Sequence, residues 1–336
     1  MKKSLPLAVG LLLAYSVLSL LLTWPMAAHF ASHVPGDGID DPSLVWNLWW
    51  VKHALVDRPQ NPFACNWQFW PVGINLAFYT LTVLNGLLSV PLQAVFGLIP
   101  AYNLLLLSSF VLGGYGAYLL CREFLRYHSS ALPLSRAAFL GGALYAFASA
   151  RMFYAALGQG NIASAQWAPF AALYILRAAR PRGRPRDAGL AALFLVLQAY
   201  AELTYASFLL IFAVLAFAWG VYRRVIDSRS PDIFPRPTGN AREASRPDEP
   251  ASHFTSYSSL AARFALLALL FALGIIPFLA NMLPDLRVEG DFFTSGGGFA
   301  DIFSADLAGY ALPTQLHPLL GNVIVAASRR PAQGGR

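Results

Sequence analysis

Charged residues are scarce in this sequence. Asp, Glu, Lys and Arg make up only 12% of its 336 residues, whereas hydrophobic residues make up 57%. A soluble globular chain is about one-quarter charged, so this composition excludes an ordinary soluble domain. The apolar runs are long enough to be membrane-spanning helices rather than barrel strands. The sequence therefore predicts an all-α polytopic membrane protein.

Cysteine is also scarce, and the common cofactor motifs are missing. The two cysteines, Cys65 and Cys121, lie in the first predicted loop and at a predicted helix end. They form no disulfide framework and match no metal motif. The sequence has no P-loop, no dinucleotide-binding fingerprint and no zinc spacing, so it gives no basis for a nucleotide or zinc enzyme.

Acidic residues are outnumbered by basic ones, and the net charge is +7. A basic chain can bind nucleic acid, but here the arginines cluster in short loops between apolar segments. That distribution is the positive-inside pattern of membrane proteins. We therefore expect membrane lipid, and no nucleic acid, as a partner.

The apolar segments predict a helical bundle of seven or eight membrane segments. Lys2 and Lys3 precede the first, residues 5–23, and no small-residue cleavage site ends it. We therefore expect an uncleaved helix with its N-terminus in the cytoplasm. The later segments are 78–98, 102–120, 139–148, 162–176, two within 188–222, and 260–283.

The basic loops 122–136, 177–186 and 223–248 favour the cytoplasm. An inward N-terminus then requires an even number of crossings before Arg122, whereas three apolar segments precede it. Either one segment within 78–120 is re-entrant or the positive-inside rule fails once. The sequence leaves both alternatives open.

Composition divides the chain into two parts. Residues 1–283 are predicted to form the transmembrane module, with an extracytoplasmic loop at 24–76 and a cytoplasmic loop at 223–258. The second loop is rich in Arg, Ser, Pro and Asp and poor in aliphatic residues, so we expect it to be disordered. Residues 284–336 are predicted to form a second extracytoplasmic loop and an irregular tail.

The loop at 24–76 carries three carboxylates within five residues, Asp37, Asp40 and Asp41. Pro42 suits the first turn of a helix, so Asp41 is predicted to be its N-cap. Helical spacing then places an aliphatic stripe on one face and aromatic residues on another flank. This pattern predicts a helix at the membrane surface with its tryptophans at headgroup depth. The stripe is Leu44, Leu48, Val51 and Leu55, and the flank is Trp46, Trp50 and His53.

Two interpretations of this acidic turn are open. Asp and Gly are ordinary turn residues, so Asp37 and Asp40 can be solvated residues beside a helix cap. Alternatively, one carboxylate acts as a general base or helps to hold a metal ion.

The chain resembles bacterial members of the GT-C superfamily of membrane glycosyltransferases. The resemblance runs from about residue 5 to residue 321 and depends on the order of several short segments. These are Gly36-Asp37-Gly38-Ile39-Asp40, Val45-Trp46-Asn47-Leu48-Trp49-Trp50, Pro71-Val72-Gly73-Ile74-Asn75, Gln166-Trp167, and Ser304-Ala305-Asp306-Leu307 with His317-Pro318-Leu319.

The resemblance implies a GT-C-like helical bundle with a helical first extracytoplasmic loop, in the bacterial inner membrane. It implies transfer of a sugar, of the hexosyltransferase type and with inversion, from a polyprenyl-phosphate carrier to an extracytoplasmic acceptor. Asp40 matches the expected loop acid and general base, and Asp37 its neighbour. The same two residues are the candidate ligands of a divalent cation, Mg²⁺ or Mn²⁺. Asp41 falls where the resemblance implies no functional carboxylate.

Six further residues are candidate substrate ligands. Arg151 is placed to meet a lipid phosphate by charge-assisted hydrogen bonds, or is an ordinary interfacial arginine. Glu202 separates two apolar helices, where an acid either faces the outer boundary near the acidic loop or pairs with a polar neighbour at mid-membrane. Gln159 stands where the resemblance leads us to expect a histidine. The others are Asn161 in the same polar link, Asp306 as a site residue or helix cap, and His317 as a catalyst or turn residue.

Two other functions compete with glycosyl transfer. A transporter or flippase of lipid-linked sugars is one, although such proteins tend to have internal repeats, and this sequence shows none. An inactive scaffold or fragment of a longer enzyme is the other, because such enzymes usually have more membrane helices after the second outer loop. The aromatic side chains of residues 284–320 then need a surface to pack on, so we expect the chain to need a partner subunit or to be poorly stable in detergent.

Overall fold

A computed structural model describes residues 4–128, 134–229 and 253–288 of the chain. A 3₁₀ turn at Met26–His29, another at Leu76–Phe78 and a π turn at His53–Asp57 accompany eleven helices and two short antiparallel strands in this described part. The helices are α1 Ser4–Leu22, α2 Asp41–Lys52, α3 Val83–Phe96, α4 Leu98–His128, α5 Leu134–Ala146, α6 Ser149–Ala156, α7 Gly160–Ala163, α8 Ala168–Ala179, α9 Pro185–Ala201, α10 Leu203–Arg229 and α11 His253–Val288, and the strands are β1 Ala64–Cys65 and β2 Ile74–Asn75.

The chain divides into two compact units, Met1–Met282 and Leu283–Arg336. The first unit contains all the elements described below. Of the second unit, the structure describes only the last residues of α11, 283–288.

Four helices are long and apolar enough to cross a membrane. A span needs about 20 apolar residues, and four described segments meet that requirement. The prediction of an all-helical membrane protein is thereby confirmed. The full-length spans in the described part are four, fewer than the seven or eight segments predicted, because α3, α5, α8 and α9 are shorter. The four segments are Leu5–Leu22, Leu98–Arg126, Leu203–Ile226 and Tyr257–Arg287.

Helix α4 lies at the centre and packs against α1, α3, α5 and α8. Near its start, the Asn103 amide donates to the carbonyls of Phe30 and His33, both at 2.8 Å. Near its end, Glu123 accepts hydrogen bonds from two arginines that follow α8 or end it. Asn103 and Glu123 are about 20 residues apart, which is about 30 Å along a helix. That distance is about the hydrocarbon thickness of a bilayer, and α4 carries one set of tertiary contacts near each of its ends.

The contacts at the Glu123 end are built from basic side chains. Arg177 and Arg180 reach the Glu123 carboxylate at 2.6 and 2.5 Å. Arg263 of α11 donates to the carbonyl of Gly183 at 2.9 Å and to that of Arg180 at 2.9 Å. The short basic loop between α8 and α9 is therefore held by charge-assisted hydrogen bonds rather than by apolar packing.

Helix α2 is buried on more than one face, so it does not lie on the bilayer as an amphipathic surface helix. The aliphatic stripe is buried, but so is Trp50 on the other flank, which has no exposed surface. The Trp50 indole N–H donates to the carbonyl of Pro62 at 2.8 Å. Packing against α3 and α4 covers α2 on more than one side, so Trp50 cannot lie among lipid headgroups. The buried stripe residues are Leu44, Leu48 and Val51, whereas Leu55 is exposed in the π turn beyond α2.

Of two stretches where the sequence predicts helices, one has the predicted break and the other has a break that was not predicted. Residues 188–222 form two helices as predicted, since α9 ends at Ala201 and α10 begins at Leu203. The single helix predicted over 162–176 is wrong, because residues 164–167 separate α7 from α8. Tertiary donors occupy the carbonyls there: Gln198 donates to Ser164 at 3.0 Å, and Tyr145 donates to Ala165 at 2.7 Å.

The loop predicted at 223–258 is helical at both of its ends. Helix α10 continues to Arg229, and α11 begins at His253. Residues 230–252 lie outside the described residues. The same holds for the predicted second outer loop beyond residue 288.

Candidate functional site

The acidic turn is organised by Asp41, the carboxylate that the sequence analysis treated only as a cap. Helix α2 begins at Asp41 itself, and Asp40 occupies the N-cap position without a side-chain cap hydrogen bond. The predicted N-cap role of Asp41 is therefore wrong by one residue. The Asp41 carboxylate is buried and accepts a hydrogen bond from the Gly38 backbone N–H at 2.8 Å. This bond closes the turn and leaves the Asp40 side chain free to face another segment.

That segment is the polar link of residues 158–161, which follows α6 and includes the first two residues of α7. The Gln159 side-chain amide donates to Asp40 Oδ2. The Gly158 carbonyl accepts a hydrogen bond from the Tyr102 hydroxyl at 2.7 Å, which ties the link to α4. Gly158 has a φ of +73°, and a Cβ there would lie 2.6 Å from the Pro35 carbonyl oxygen. The link thus packs backbone to backbone against the acidic turn.

The same link also contacts Glu202 at the break between α9 and α10. The Asn161 side-chain amide donates to Glu202 Oε2 at 3.0 Å. The other oxygen, Oε1, accepts from the Thr204 backbone N–H at 3.3 Å. Two neighbouring amide side chains, Gln159 and Asn161, therefore hold the carboxylates of Asp40 and Glu202 from one short segment. An acid between apolar helices is costly unless it is paired in this way.

An apolar cavity of about 470 Å³ adjoins the acidic turn. Its lining runs from Leu22, where α1 ends, to Gly36, which packs against the Asp41 carboxylate. Its polar groups include the imidazoles of His29 and His33, whose rings meet edge to face at 5.2 Å. Such a cavity has room for an apolar chain and ends beside polar groups.

A second cavity of about 290 Å³ lies at the break between α9 and α10. Glu202 lines it together with Thr80 and Tyr79, so a carboxylate faces this space.

Asp37 and Asp40, the candidate ligands of a divalent cation, each have one carboxylate oxygen bound by an N–H group. Asp37 is exposed, and its Oδ1 accepts from the Ile39 backbone N–H at 3.1 Å. Asp40 Oδ2 accepts a hydrogen bond from the Gln159 side-chain amide. Within residues 4–128, 134–229 and 253–288, no three His, Cys, Asp or Glu side chains converge as a metal-binding group. We derive no chemical step through a metal.

Arg151 was predicted to meet a lipid phosphate or to be an ordinary interfacial arginine, but its side chain is buried among the helices. The guanidinium is buried and donates to the carbonyls of Ala146 at 3.2 Å, Ser109 at 3.2 Å and Ala163 at 2.7 Å. It also lies over the ring of Phe110, 5.1 Å from the centroid. These partners join α4, α5 and α7, so the side chain ties helices together.

Arg151→Lys is expected to lower the stability of the protein rather than its affinity for substrate. An ammonium lacks the planar fork that reaches three carbonyls, and hydrogen bonds to charged groups each contribute about 1.5–3 kcal/mol. We expect a loss on the order of 3 kcal/mol in the free energy of unfolding, measured by thermal or denaturant unfolding in detergent. Arg58→Lys, at an exposed arginine, is the matched control. An unchanged unfolding transition with a raised KM for lipid phosphate would instead support the phosphate role.

Of the eight predicted site residues, four meet in one network: Asp40, Gln159, Asn161 and Glu202. Asp37 is exposed at its edge, and Arg151 lies in the helix core. Asp306 and His317 lie outside the described residues. Asp41, Gly158 and Tyr102 were not predicted as organisers of the site. Their contacts involve backbone atoms, the Gly38 N–H for Asp41 and the Gly158 carbonyl for Tyr102, and no residue pattern in the sequence marks such atoms.

Comparison with known proteins adds no relative. No protein-family model, no curated protein and no solved structure matches the chain. The function proposed below is therefore argued from the site and from the sequence motifs.

Proposed function

We propose that the protein is a membrane glycosyltransferase of the GT-C type. It transfers a sugar from a polyprenyl-phosphate carrier to an acceptor on the extracytoplasmic side of the bacterial inner membrane, with inversion. Asp40 is the general base. The resemblance of the acidic turn and the segments that follow it to GT-C enzymes gives the reaction class.

The observation that carries the proposal is an apolar cavity that ends at Gly36, in the same acidic turn as the half-buried Asp40. The cavity begins at the end of a membrane-crossing helix, α1, and ends at the acidic turn. A lipid-linked sugar has its apolar and polar parts in the same order as the cavity. It has an apolar chain, a phosphate at headgroup level and a sugar beyond the phosphate. His29 and His33, in the cavity wall, are the described side chains best placed to donate hydrogen bonds to that phosphate.

The step balances without a cofactor. Asp40 Oδ1, which no described side chain engages, takes the proton of the acceptor hydroxyl as its oxygen forms a bond to the anomeric carbon. The bond from that carbon to the carrier phosphate breaks, and its electron pair leaves on the phosphate. Attack from the side opposite the phosphate inverts the anomeric centre. Gln159 fixes the carboxylate through Oδ2, and Glu202 offers an acceptor for a second hydroxyl in the neighbouring cavity.

We further propose seven crossings, with α3 re-entrant. The positive-inside rule requires an even number of crossings before Arg122. If the 14-residue α3 enters and leaves on one side, the two crossings are α1 and α4. The helices α5, α8 and α9 then cross inside the bundle despite their length, followed by α10 and α11. This order keeps 177–187 and 223–258 in the cytoplasm and 24–76 outside, and it puts Asp40, residues 158–161 and Glu202 at one boundary. Positive-inside arginine placement supports it.

The test is transfer by the purified full-length chain in liposomes. The donor is a radiolabelled polyprenyl-phosphate hexose of defined anomeric configuration, and membranes of the host cell supply the acceptor. The account predicts release of polyprenyl phosphate and a product of inverted configuration. Label that crosses the bilayer while still attached to its carrier would favour the flippase alternative, and an intact, immobile donor would favour the scaffold or fragment.

A further inference from the structure

Residues 24–76, called here the outer segment, carry an exposed apolar hairpin that the proposed chemistry does not use. Strands β1 and β2 pair Ala64 with Asn75 and Cys65 with Ile74, and residues 66–73 form the tip between them. Three large apolar side chains at this tip are strongly exposed: Phe69 at 71%, Trp70 at 77% and Val72 at 90%.

The tip is a built structure rather than a loose loop. The Phe69 carbonyl accepts hydrogen bonds from the N–H groups of Val72 at 2.9 Å and Gly73 at 3.1 Å. Phe69 itself has a φ of +54°, a left-handed conformation that is unfavourable for a bulky residue. Trp67, at the base of the tip, packs on Trp49 at 5.1 Å between ring centroids. The fold therefore maintains a strained turn that points apolar side chains outward.

The base of the hairpin is docked on a membrane-crossing helix. Asn61 and Asn75 donate to the side-chain and main-chain oxygens of Asn281, both at 2.6 Å. Phe63 meets the ring of Phe278 edge to face at 5.5 Å. Asn281 and Phe278 both lie within the span Tyr257–Arg287. The hairpin is thus attached near the C-terminal end of a helix that is long and apolar enough to cross a membrane.

The lack of charged residues in this segment favours lipid over a soluble molecule as the partner of the tip. From Pro59 to Cys121 the sequence contains no Asp, Glu, Lys, Arg or His. A surface that binds a protein or a charged glycan usually offers polar or charged groups around its apolar anchors. Tryptophan and phenylalanine without charge are instead typical of side chains at the membrane interface. Trp24, two residues beyond α1 and 67% exposed, is a second tryptophan at the end of a span.

We propose that the tip of residues 66–73 inserts Phe69, Trp70 and Val72 into the outer leaflet of the bilayer. The inserted tip anchors the outer segment, and with it the acidic turn, at a fixed depth relative to lipid headgroups. This anchoring is independent of glycosyl transfer and holds whatever reaction the site performs.

Spin labels in the full-length chain test the insertion. In a variant with Cys65 and Cys121 replaced by alanine, Val72→Cys and, separately, Trp70→Cys are labelled and reconstituted into phosphatidylcholine–phosphatidylglycerol vesicles. Asp57→Cys, at a charged position of the same outer segment, is the matched control. Collision with oxygen, which concentrates in lipid, is compared with collision with a water-soluble nickel complex.

The expected result is high oxygen and low nickel accessibility at positions 70 and 72, with the reverse at position 57. Two label positions guard against a local defect of either variant, and an unchanged elution volume in detergent shows that each is folded. Nickel accessibility at 70 and 72 as high as at 57 would overturn the proposal. Nickel accessibility that falls only when a glycan acceptor is added would assign the tip to the acceptor instead.

Discussion

Asp40→Asn is expected to lower the rate of sugar transfer by about a hundredfold to ten-thousandfold, the usual loss when a general base is removed. Asparagine has the shape of aspartate, and its carbonyl oxygen can still accept the hydrogen bond from Gln159. The link and the turn should therefore stay together. Only the ability to take a proton is lost, so expression, membrane insertion and unfolding should match the wild type while turnover collapses.

Asp57→Asn is the matched control for this substitution. Asp57 lies in the same outer segment, but it is a surface acid bound by Lys52 at 2.9 Å. That hydrogen bond lowers the pKa of Asp57 below its ordinary value. The residue does not face the polar link, so its variant should transfer sugar at the wild-type rate. Asp41→Asn should fall between the two, because an amide oxygen can still accept from Gly38. Equal rates for wild type and Asp40→Asn would remove Asp40 from the chemistry.

Gly158→Ala is expected to destabilise the protein and separate the link from the acidic turn. A left-handed residue with a Cβ costs about 1–2 kcal/mol, and overpacking adds about 1–3 kcal/mol. The atoms it would strike are the Pro35 carbonyl oxygen at 2.6 Å and the Asp41 side chain, and the carbonyl is backbone that cannot rotate away. Relief requires residues 158–161 to move, which breaks the contact between Gln159 and Asp40.

Gly38→Ala is the control that measures the conformational cost without the steric clash. Gly38 has a similar φ of +83°, but no atom lies within 4 Å of the position a Cβ would take. It should therefore lose only the conformational term, about 1–2 kcal/mol. Unfolding in detergent, followed by intrinsic fluorescence, compares the two variants. If Gly158→Ala unfolds no more readily than Gly38→Ala, the close packing of the link on the turn is refuted.

The sequence predicted the structure correctly where a polar residue interrupts an apolar run. Glu202 interrupts an apolar run of more than thirty residues, and the chain breaks there. The polar residues Gln159 and Asn161 between apolar helices likewise marked a segment that binds other polar groups. In each case the cost of an unpaired polar side chain in an apolar setting makes the local pattern informative.

Local patterns failed where tertiary contacts decided the outcome. Pro42 correctly marks the first turn of α2, but the sequence does not show that the Asp40 side chain binds Gln159, more than a hundred residues away. The strands β1 and β2 have two residues each and leave no periodic pattern. Arg151 binds backbone carbonyls, which every residue carries, so no sequence pattern points to its partners.

The central claim is that the outer site cleaves a lipid-linked sugar. Its most direct measurement follows one radiolabelled polyprenyl-phosphate hexose in vesicles that contain either the wild type or Asp40→Asn. Free polyprenyl phosphate and the position of the label across the bilayer are read in the same samples. The account predicts carrier phosphate released by the wild type, with release by the variant lower by at least about a hundredfold. Wild-type vesicles that leave the donor uncleaved, whether it stays in place or moves across the bilayer, would contradict it.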